Sequence, residues 1–218
     1  HNIRSIVRKV NNPYIDKIRT NKIKESNYPI LCKEELKELK GSWKNDSYKD
    51  IYLEIGCHRG KVLNEFAKHH SGSICLGLDI TYKRIYLAAE KTLLNKCSNV
   101  RLALCSGQEI ENIFSPRELS GILIFFPDPW NKKLRQRHNR LIDQSFCFLL
   151  KKLLRVNGFI WFKTDDKNYY ELVCHYMKYS GLLTSKIKPK ETEIKCESVF
   201  EKRFKQQDAL LFEKIWLN

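Results

Sequence analysis

Short apolar runs alternate with segments of helical periodicity along most of this chain, beginning at Ile51. The five runs are IYLEIG, SICLGLDI, VRLALC, GILIFF and GFIWFKT. Runs of this length and aliphatic content are typical of strands buried on both faces of a parallel sheet. Between them, apolar residues recur at helical spacing at Ile142, Phe146, Leu149, Leu150 and Leu153, and again at Tyr169, Leu172, Val173, Tyr176 and Met177. The alternation predicts repeated βαβ units, and therefore an α/β fold with a mostly parallel sheet.

The pattern changes toward both ends of the chain. After Gly181, the segment DALLFEKIWLN alternates apolar and polar residues, which predicts that the sheet closes with an antiparallel strand. Residues 1–50 are polar and rich in Lys and Asn, with one helix-like piece, KEELKELKG, that ends at Gly41. We therefore divide the chain into an N-terminal basic extension, residues 1–50, and a single domain, residues 51–218.

The net charge of the chain indicates which class of partner it binds. The 218 residues carry 40 Lys or Arg against 25 Asp or Glu, a formal net charge of +15. Such an excess predicts attraction to a polyanion, either nucleic acid or an anionic membrane surface. No apolar stretch approaches the roughly 20 residues of a membrane span, and the basic segment HNIRSIVRKVNNPY lacks the apolar stretch of a signal peptide. We expect a soluble cytoplasmic protein.

The eight cysteines are far apart and form no C-x-x-C pair. Neither a zinc site nor a disulfide framework is predicted from such spacing, and we expect no metal. Several, such as Cys75 and Cys105, lie inside apolar runs, where a reduced thiol acts as a small hydrophobe.

In an open parallel sheet, ligands bind beyond the carboxyl ends of the strands, so the residues that end each run are the first candidates. The first run ends in LEIGCHRGK, in which Gly56 and Gly60 allow a tight turn and Glu54 supplies a carboxylate. The G-x-G-x-x-G fingerprint of dinucleotide-binding proteins is not met, because His58 stands at its second glycine. This departure disfavours a nicotinamide cofactor.

The second run ends at Asp79, about twenty residues after the glycine turn, where a carboxylate can accept both hydroxyl hydrogens of a ribose. Together with Glu54, it favours S-adenosylmethionine, whose sulfonium and amino groups are cationic, over a dinucleotide with its pyrophosphate. The alternative role for Asp79 is a cap on the helix that begins near TYKR. The third run ends in LCSGQEI, where Ser106 is a weaker candidate for contact with an adenine edge.

The fourth run ends in FFPDPWNKKLRQRHNRL, where prolines flank Asp128 and restrict the backbone around it. Trp130 follows, either to stack on a base or to pack beneath the loop. The next ten residues carry five cations and no acid, a composition expected for contacts to phosphates. These cations are Lys132, Lys133, Arg135, Arg137 and Arg140.

The motifs EIGCHRG, GLDI, FPDPWNKK, FKTDD and SVFEKRF, in this order and spacing, resemble those of the bacterial tRNA (guanine-N7)-methyltransferases. The resemblance runs from about Tyr52 to the C-terminus, and the D-P-W-x-K-K element followed by a basic run is its most specific part. It implies a Rossmann-like class I methyltransferase fold, with a mostly parallel seven-stranded sheet, an antiparallel C-terminal strand and helices on both faces. Residues 51–218 would form the S-adenosylmethionine-dependent domain.

The resemblance also implies a role for each matching residue. Glu54, Asp79 and Asp128 match acids that contact the cofactor, and Asp128 is also the catalytic candidate. Substrate contacts are implied for Lys132, Asp165, Ser198 and Glu201. The implied reaction transfers a methyl group from S-adenosylmethionine to N7 of guanine 46 in the variable loop of tRNA. Departures from the family pattern occur at His58, Ser106 and Asn131.

Guanine N7 carries a free lone pair, so attack on a methyl sulfonium needs no general base and depends on positioning and electrostatics. Asp128 or Asp165 would stabilise the cationic base that forms, and Glu201 would select guanine by accepting hydrogen bonds from N1 and the exocyclic amine. Two alternatives remain open, a non-catalytic RNA-binding protein with this fold and a methyltransferase that acts on an exocyclic amine. The sequence is compatible with a monomer or a homodimer.

Overall fold

A computed structural model describes residues 12–131 and 134–218, with the side chain of Leu134 excepted. One seven-stranded sheet has the order β3-β2-β1-β4-β5-β7-β6. Its strands are β1 (Asp50–Ile55), β2 (Ser73–Asp79), β3 (Val100–Leu104), β4 (Leu119–Phe125), β5 (Leu154–Thr164), β6 (Leu183–Thr184) and β7 (Phe212–Leu217). The five predicted runs therefore correspond to β1 through β5.

The described residues contain helices α1 (Pro13–Lys24), α2 (Lys33–Leu39), α3 (Lys61–His69), α4 (Tyr82–Leu94), α5 (Gln144–Leu153), α6 (Lys167–Tyr179) and α7 (Val199–Gln206). Short 3-10 segments cover Gly107–Asn112, Leu134–Asn139 and Lys190–Thr192. The two helical patterns read from the sequence correspond to α5 and α6, and the predicted KEELKELKG helix is α2.

The first five strands pair in parallel, and β7 pairs antiparallel with both β5 and β6. The predicted antiparallel closure is thereby confirmed. Side chains of β1 alternate between the two faces of the sheet, so that Leu53 packs with α5 and α6 while Tyr52 packs with α3 and α4. Both faces are covered by helices, which is why the parallel strands are apolar throughout. The α/β fold with helices on both faces is confirmed.

The part of the N-terminal segment that the structure describes packs against the domain. Ile30 forms a parallel bridge with Leu102 of β3, and Leu36 of α2 belongs to the core. The Trp43 indole donates to the carbonyl oxygen of Ile113 at 2.9 Å, and the Glu118 carboxylate accepts from the Trp43 amide at 3.2 Å. The segment therefore contributes buried apolar surface as well as charge.

Six of the eight cysteines are buried and all eight are free thiols. Cys75 and Cys105 lie in the two apolar clusters of the core, where they fill space as small hydrophobes. No helix within residues 12–131 and 134–218 is both long enough and apolar enough to cross a bilayer.

The topology determines where a ligand site can form. Strand order reverses between β1 and β4, because the chain builds outward from β1 toward β3 and then returns to add β4 and β5 on the other side. At such a reversal the connections leave in opposite directions and open a crevice at the carboxyl ends of the strands. The ends of β1, β2, β4 and β5 therefore converge on one cleft.

Candidate functional site

An open cleft of about 1140 Å³ lies at the carboxyl ends of the strands. It brings together seven of the predicted site residues, which are Glu54, Gly56, Asp79, Ser106, Asp128, Asp165 and Ser198. Trp130 is half-buried and also lines it. Cofactor candidates and substrate candidates thus share one cavity. The two that are farthest apart in the chain, Glu54 and Ser198, are separated by more than 140 residues.

The turn after β1 adopts a left-handed backbone at three positions, Gly56 (φ 77°), His58 (φ 51°) and Gly60 (φ 73°). A methyl group at Gly56 would meet no heavy atom within 4 Å, so the backbone there is open to a ligand in the cleft. A methyl group at Gly60 would lie 3.0 Å from the Cβ of Ala88, so this glycine lets the turn pack closely on α4. Gly60 therefore contributes to the cleft by allowing this close packing of the turn against α4.

Glu54 projects from the end of β1 and is only 4% exposed. Among the described residues, no hydrogen-bond donor reaches its buried Oε2 atom. Burial, reinforced by the nearby Asp79 carboxylate, raises the pKa of Glu54 to about 8. A buried acceptor atom without a donor is costly, and a cationic ligand group in the cleft would supply the missing donor and an opposite charge.

Asp79 ends β2 and is 5% exposed. Its Oδ2 atom accepts from the backbone amide of His58 at 3.1 Å and its Oδ1 atom from that of Thr81 at 3.0 Å, while an Arg84 guanidinium nitrogen lies 3.8 Å from Oδ2. Asp79 therefore holds the glycine turn and the entry to α4 in place. Asp79 can cap α4 and also accept from the hydroxyls of a ribose, because each carboxylate oxygen has more than one lone pair.

Ser106 begins the 3-10 segment after β3. Its hydroxyl accepts from the Gln108 amide at 3.3 Å, and the Glu109 carboxylate accepts from the Ser106 amide at 3.2 Å. This reciprocal capping box stabilises the loop that forms one wall of the cleft.

The loop after β4 carries Asp128 into the cleft on an exposed corner. The Asp128 Oδ1 atom accepts from the Trp130 amide at 3.0 Å, closing a turn in which Trp130 has φ 47°. No described residue donates to the second carboxylate oxygen. Asp165, at the end of β5, is exposed in the same cleft.

A side-chain network ties this corner to the start of α6. Arg140 donates to the carbonyl oxygen of Pro129 at 2.7 Å and to Asn131 Oδ1 at 2.6 Å, and its guanidinium lies 5.3 Å from the ring centre of Tyr169. The Asn131 amide donates in turn to Asp166, which caps α6 by accepting from the Tyr169 amide at 2.7 Å. Arg140 thus braces the Asp128 corner, whereas Arg135 and Arg137 are exposed.

The substrate candidates near the C-terminus lie at the start of α7. Ser198 caps the helix, its hydroxyl accepting from the Glu201 amide at 2.9 Å. Glu201 is 7% exposed, and its two carboxylate oxygens lie 2.9 Å from Lys163 Nζ and 3.1 Å from Lys205 Nζ. Each carboxylate oxygen of Glu201 thus has one lysine partner, and its predicted contact with guanine stays a prediction.

Residues 48–213 match the model of a family described as putative methyltransferases. The tRNA (guanine-N7)-methyltransferase of Clostridium kluyveri is 35% identical over 144 residues, which span 65% of this chain and 68% of that protein. The enzyme of the same name from Clostridium acetobutylicum is 33% identical over 153 residues, spanning 69% and 72% of the two chains.

The chain belongs to the tRNA (guanine-N7)-methyltransferase family. The resemblance read from its motifs is thereby confirmed. Among solved structures, the 16S rRNA methyltransferase KamB superposes with a TM-score of 0.59 at 12% identity, covering 86% of this chain and 94% of that one. At that identity the likeness concerns the fold alone, and it agrees with the class I methyltransferase architecture.

Two of the residues that the family motifs single out, Lys132 and Lys133, lie outside the described residues. Their proposed contacts with substrate and with the tRNA backbone stay predictions. The cofactor and substrate roles of the described site residues also stay predictions.

Sequence reasoning about the family motifs missed the buried partner of Glu201. Lys163 lies between the rings of Phe125 and Trp161, with Nζ 4.8 and 4.9 Å from the ring centres. A signal was present, because Lys163 shares a strand face with Trp161 in an otherwise apolar run, and a buried lysine needs an acid. The identity of that acid depends on tertiary contacts.

Proposed function

We propose that this protein transfers a methyl group from S-adenosylmethionine to N7 of guanine 46 in tRNA. The observation that carries the proposal is the cleft that joins the buried carboxylate of Glu54, whose Oε2 atom has no donor among the described residues, with the exposed carboxylates of Asp128 and Asp165. Membership of the family, in which the two relatives above are named for this activity, supports the reaction.

The cleft residues fit S-adenosylmethionine. Glu54 would accept from the cofactor's ammonium group, which would satisfy its free Oε2 atom, and Asp79 would accept from the ribose hydroxyls. The open backbone at Gly56 would allow close approach. When bound, the cofactor supplies an electrophilic methyl group on a cationic sulfur.

The protein's own contribution is positioning and charge. Guanine N7 has no proton to remove, so no side chain has to act as a base. As the methyl group arrives, positive charge develops on the purine, and the Asp128 and Asp165 carboxylates are the anionic groups of the cleft that are exposed to receive it. Asp128 is the catalytic candidate because its corner is braced by Arg140.

The proposal is tested by incubating the protein with methyl-labelled S-adenosylmethionine and an unmodified tRNA transcript, then cleaving the RNA chemically at N7-methylguanosine. Label is expected in a fragment that ends at guanine 46. Label at another position or atom would overturn the regiochemistry. Binding of tRNA without any transfer would favour a non-catalytic RNA-binding protein instead.

Replacing Asp128 with asparagine should lower kcat for tRNA methylation by about tenfold to a hundredfold, because the amide keeps an acceptor but loses the charge. The asparagine oxygen can still accept from the Trp130 amide, so the loop geometry is retained. Steady-state kinetics on Asp128→Asn and Asp128→Ala separate the role of the charge in the reaction from the role of the hydrogen bond in the turn. A wild-type rate for Asp128→Asn, with loss only in Asp128→Ala, would show that the side chain serves the turn and not the reaction.

Replacing Arg135 and Arg137 together with alanine should weaken tRNA binding and lower the slope of log affinity against log salt by up to about 2, because exposed cations contact phosphates and release counterions. The matched control is Lys49→Ala with Lys178→Ala, two exposed cations at the opposite, amino end of the sheet. Filter binding at several salt concentrations measures both. Equal losses in the two double variants would refute a localised tRNA contact.

A further inference from the structure

The turn that carries the cofactor candidates and the segment that carries the C-terminal substrate candidates touch each other. His58 lies in the middle of the turn after β1, and its ring lies 5.3 Å from that of Phe200, the second residue of α7, edge to face at 81°. The two rings come from positions 142 apart in the chain. Phe200 is 37% exposed and lines the cleft.

Two further contacts hold the same two segments together. Lys61, the first residue of α3, donates from Nζ to the carbonyl oxygen of Glu197 at 2.6 Å. The thiol of Cys196 lies 4.0 Å from the carbonyl oxygen of Val62. Residues 196–200 therefore rest on residues 58–62 through one aromatic contact, one charged hydrogen bond and one weak thiol contact.

His58 is also held in place by Asp79, one of the cofactor candidates. Its backbone amide donates to Asp79 Oδ2 at 3.1 Å, so the position of its ring depends on the carboxylate proposed to hold the ribose. Burial and, secondarily, the Arg84 guanidinium lower the pKa of His58, which favours the neutral ring that packs against an apolar face. A contiguous chain of contacts thus runs from Asp79 through His58 to Phe200 and the start of α7.

We propose that His58 is a positioning residue that seats the start of α7 through Phe200, so that S-adenosylmethionine and tRNA bind with positive cooperativity. A ligand held at Asp79 restricts the turn, and the turn restricts Phe200 and the cap at Ser198. The second ligand then meets an element that is already in place, so the loss of conformational freedom is incurred once. This inference rests on the proposed function, since it assigns the two ligands to the two sides of the cleft.

The test is the affinity of an unmodified tRNA transcript for the full chain, with and without saturating S-adenosylhomocysteine, which has no methyl group to transfer. Wild-type protein should bind tRNA at least about fivefold tighter when the cofactor product is present. Phe200→Ala should bring this ratio close to one, while Phe200→Tyr, which keeps the ring, should preserve it. His58→Asn should act like Phe200→Ala, because asparagine tolerates a left-handed backbone but has no ring.

Combining His58→Asn with Phe200→Ala should lower the ratio no further than either change alone, because the two residues act through one contact. Phe148→Ala is the matched control, since Phe148 is 48% exposed on α5 and should leave the ratio at its wild-type value. Circular dichroism and thermal unfolding verify that each variant is folded.

Three results would count against the inference in distinguishable ways. A wild-type ratio near one in a protein that methylates guanine N7 would overturn the coupling and leave the proposed function standing. An unchanged ratio in Phe200→Ala would overturn the assigned contact. No binding of S-adenosylhomocysteine together with no methyl transfer would overturn both the coupling and the proposed function.

Discussion

Replacing Lys163 with methionine is expected to lower the free energy of unfolding by about 3 kcal/mol, because it leaves the Glu201 carboxylate buried without its closest cation. The two side chains are 11% and 10% exposed and lie 2.9 Å apart, so water cannot take over the lost interaction. Lys205 still pairs with the other oxygen at 3.1 Å, which keeps the loss at the lower end of the usual range for a broken buried pair. Urea denaturation measures the change.

The double variant with Lys163→Met and Glu201→Gln should recover much of the loss, since it removes the charge that the single variant leaves buried. The matched control is Lys205→Met, which removes a lysine that is 55% exposed from the same carboxylate and should cost less than about 1 kcal/mol. If Lys163→Met and Lys205→Met destabilise the protein equally, burial is not what makes the Lys163 pair strong.

Replacing Glu54 with glutamine is expected to weaken S-adenosylmethionine binding by about a hundredfold, because a desolvated charge pair between the carboxylate and the cofactor's ammonium group is lost. Glutamine keeps the size and one acceptor oxygen, so the cleft retains its shape. Calorimetric titration of the cofactor into both proteins checks the difference. Glu65→Gln, on the neighbouring helix α3, is the control and should bind almost normally. An unchanged affinity in Glu54→Gln would remove Glu54 from the proposed cofactor site.

The same substitution should stabilise the cofactor-free protein at alkaline pH. The pKa of Glu54 is raised from an ordinary 4.5 to about 8, so the folded chain binds a proton more tightly than the unfolded chain does. Stability contributed by the protonated acid is therefore lost as pH rises from about 4.5 to about 8. Thermal unfolding at pH 6 and pH 9 should show that Glu54→Gln loses less stability than wild type over this interval. If Glu54→Gln stabilises the cofactor-free protein and also weakens S-adenosylmethionine binding, then Glu54 serves binding at a cost in stability.

Much of the fold follows from local pattern. Continuous apolar runs predicted β1 to β5 and alternation predicted β7, because burial on two faces or on one face leaves distinct residue periods. The strand β5 begins earlier than the run GFIWFKT indicates, since its first residues pair irregularly with β4 and include the exposed Val156. Element ends of this kind depend on pairing partners and not on the residues themselves.

Some features of the candidate site were likewise predicted from the sequence, and others became visible only in the structure. Glu54, Asp79 and Asp128 were predicted because each lies at or just beyond the carboxyl end of an apolar run, and the carboxyl ends of parallel strands meet at one edge of the sheet. The contact of Glu201 with guanine stays a prediction, whereas the pairing of its carboxylate with Lys163 and Lys205 was not predicted. Arg140 was grouped with phosphate-binding cations, and the structure shows it bracing the loop after β4.

The sequence by itself determined the α/β class, the strand ends that carry acids, the basic run beside Asp128 and, through its motifs, the family. These properties depend on residue type and spacing, which are local. Only the tertiary structure decided which charges are already paired, that the buried Oε2 atom of Glu54 has no donor among the described residues, and that His58 contacts Phe200. Such contacts join segments far apart in the chain, and their geometry depends on how the helices pack on the sheet, which residue type and spacing do not encode.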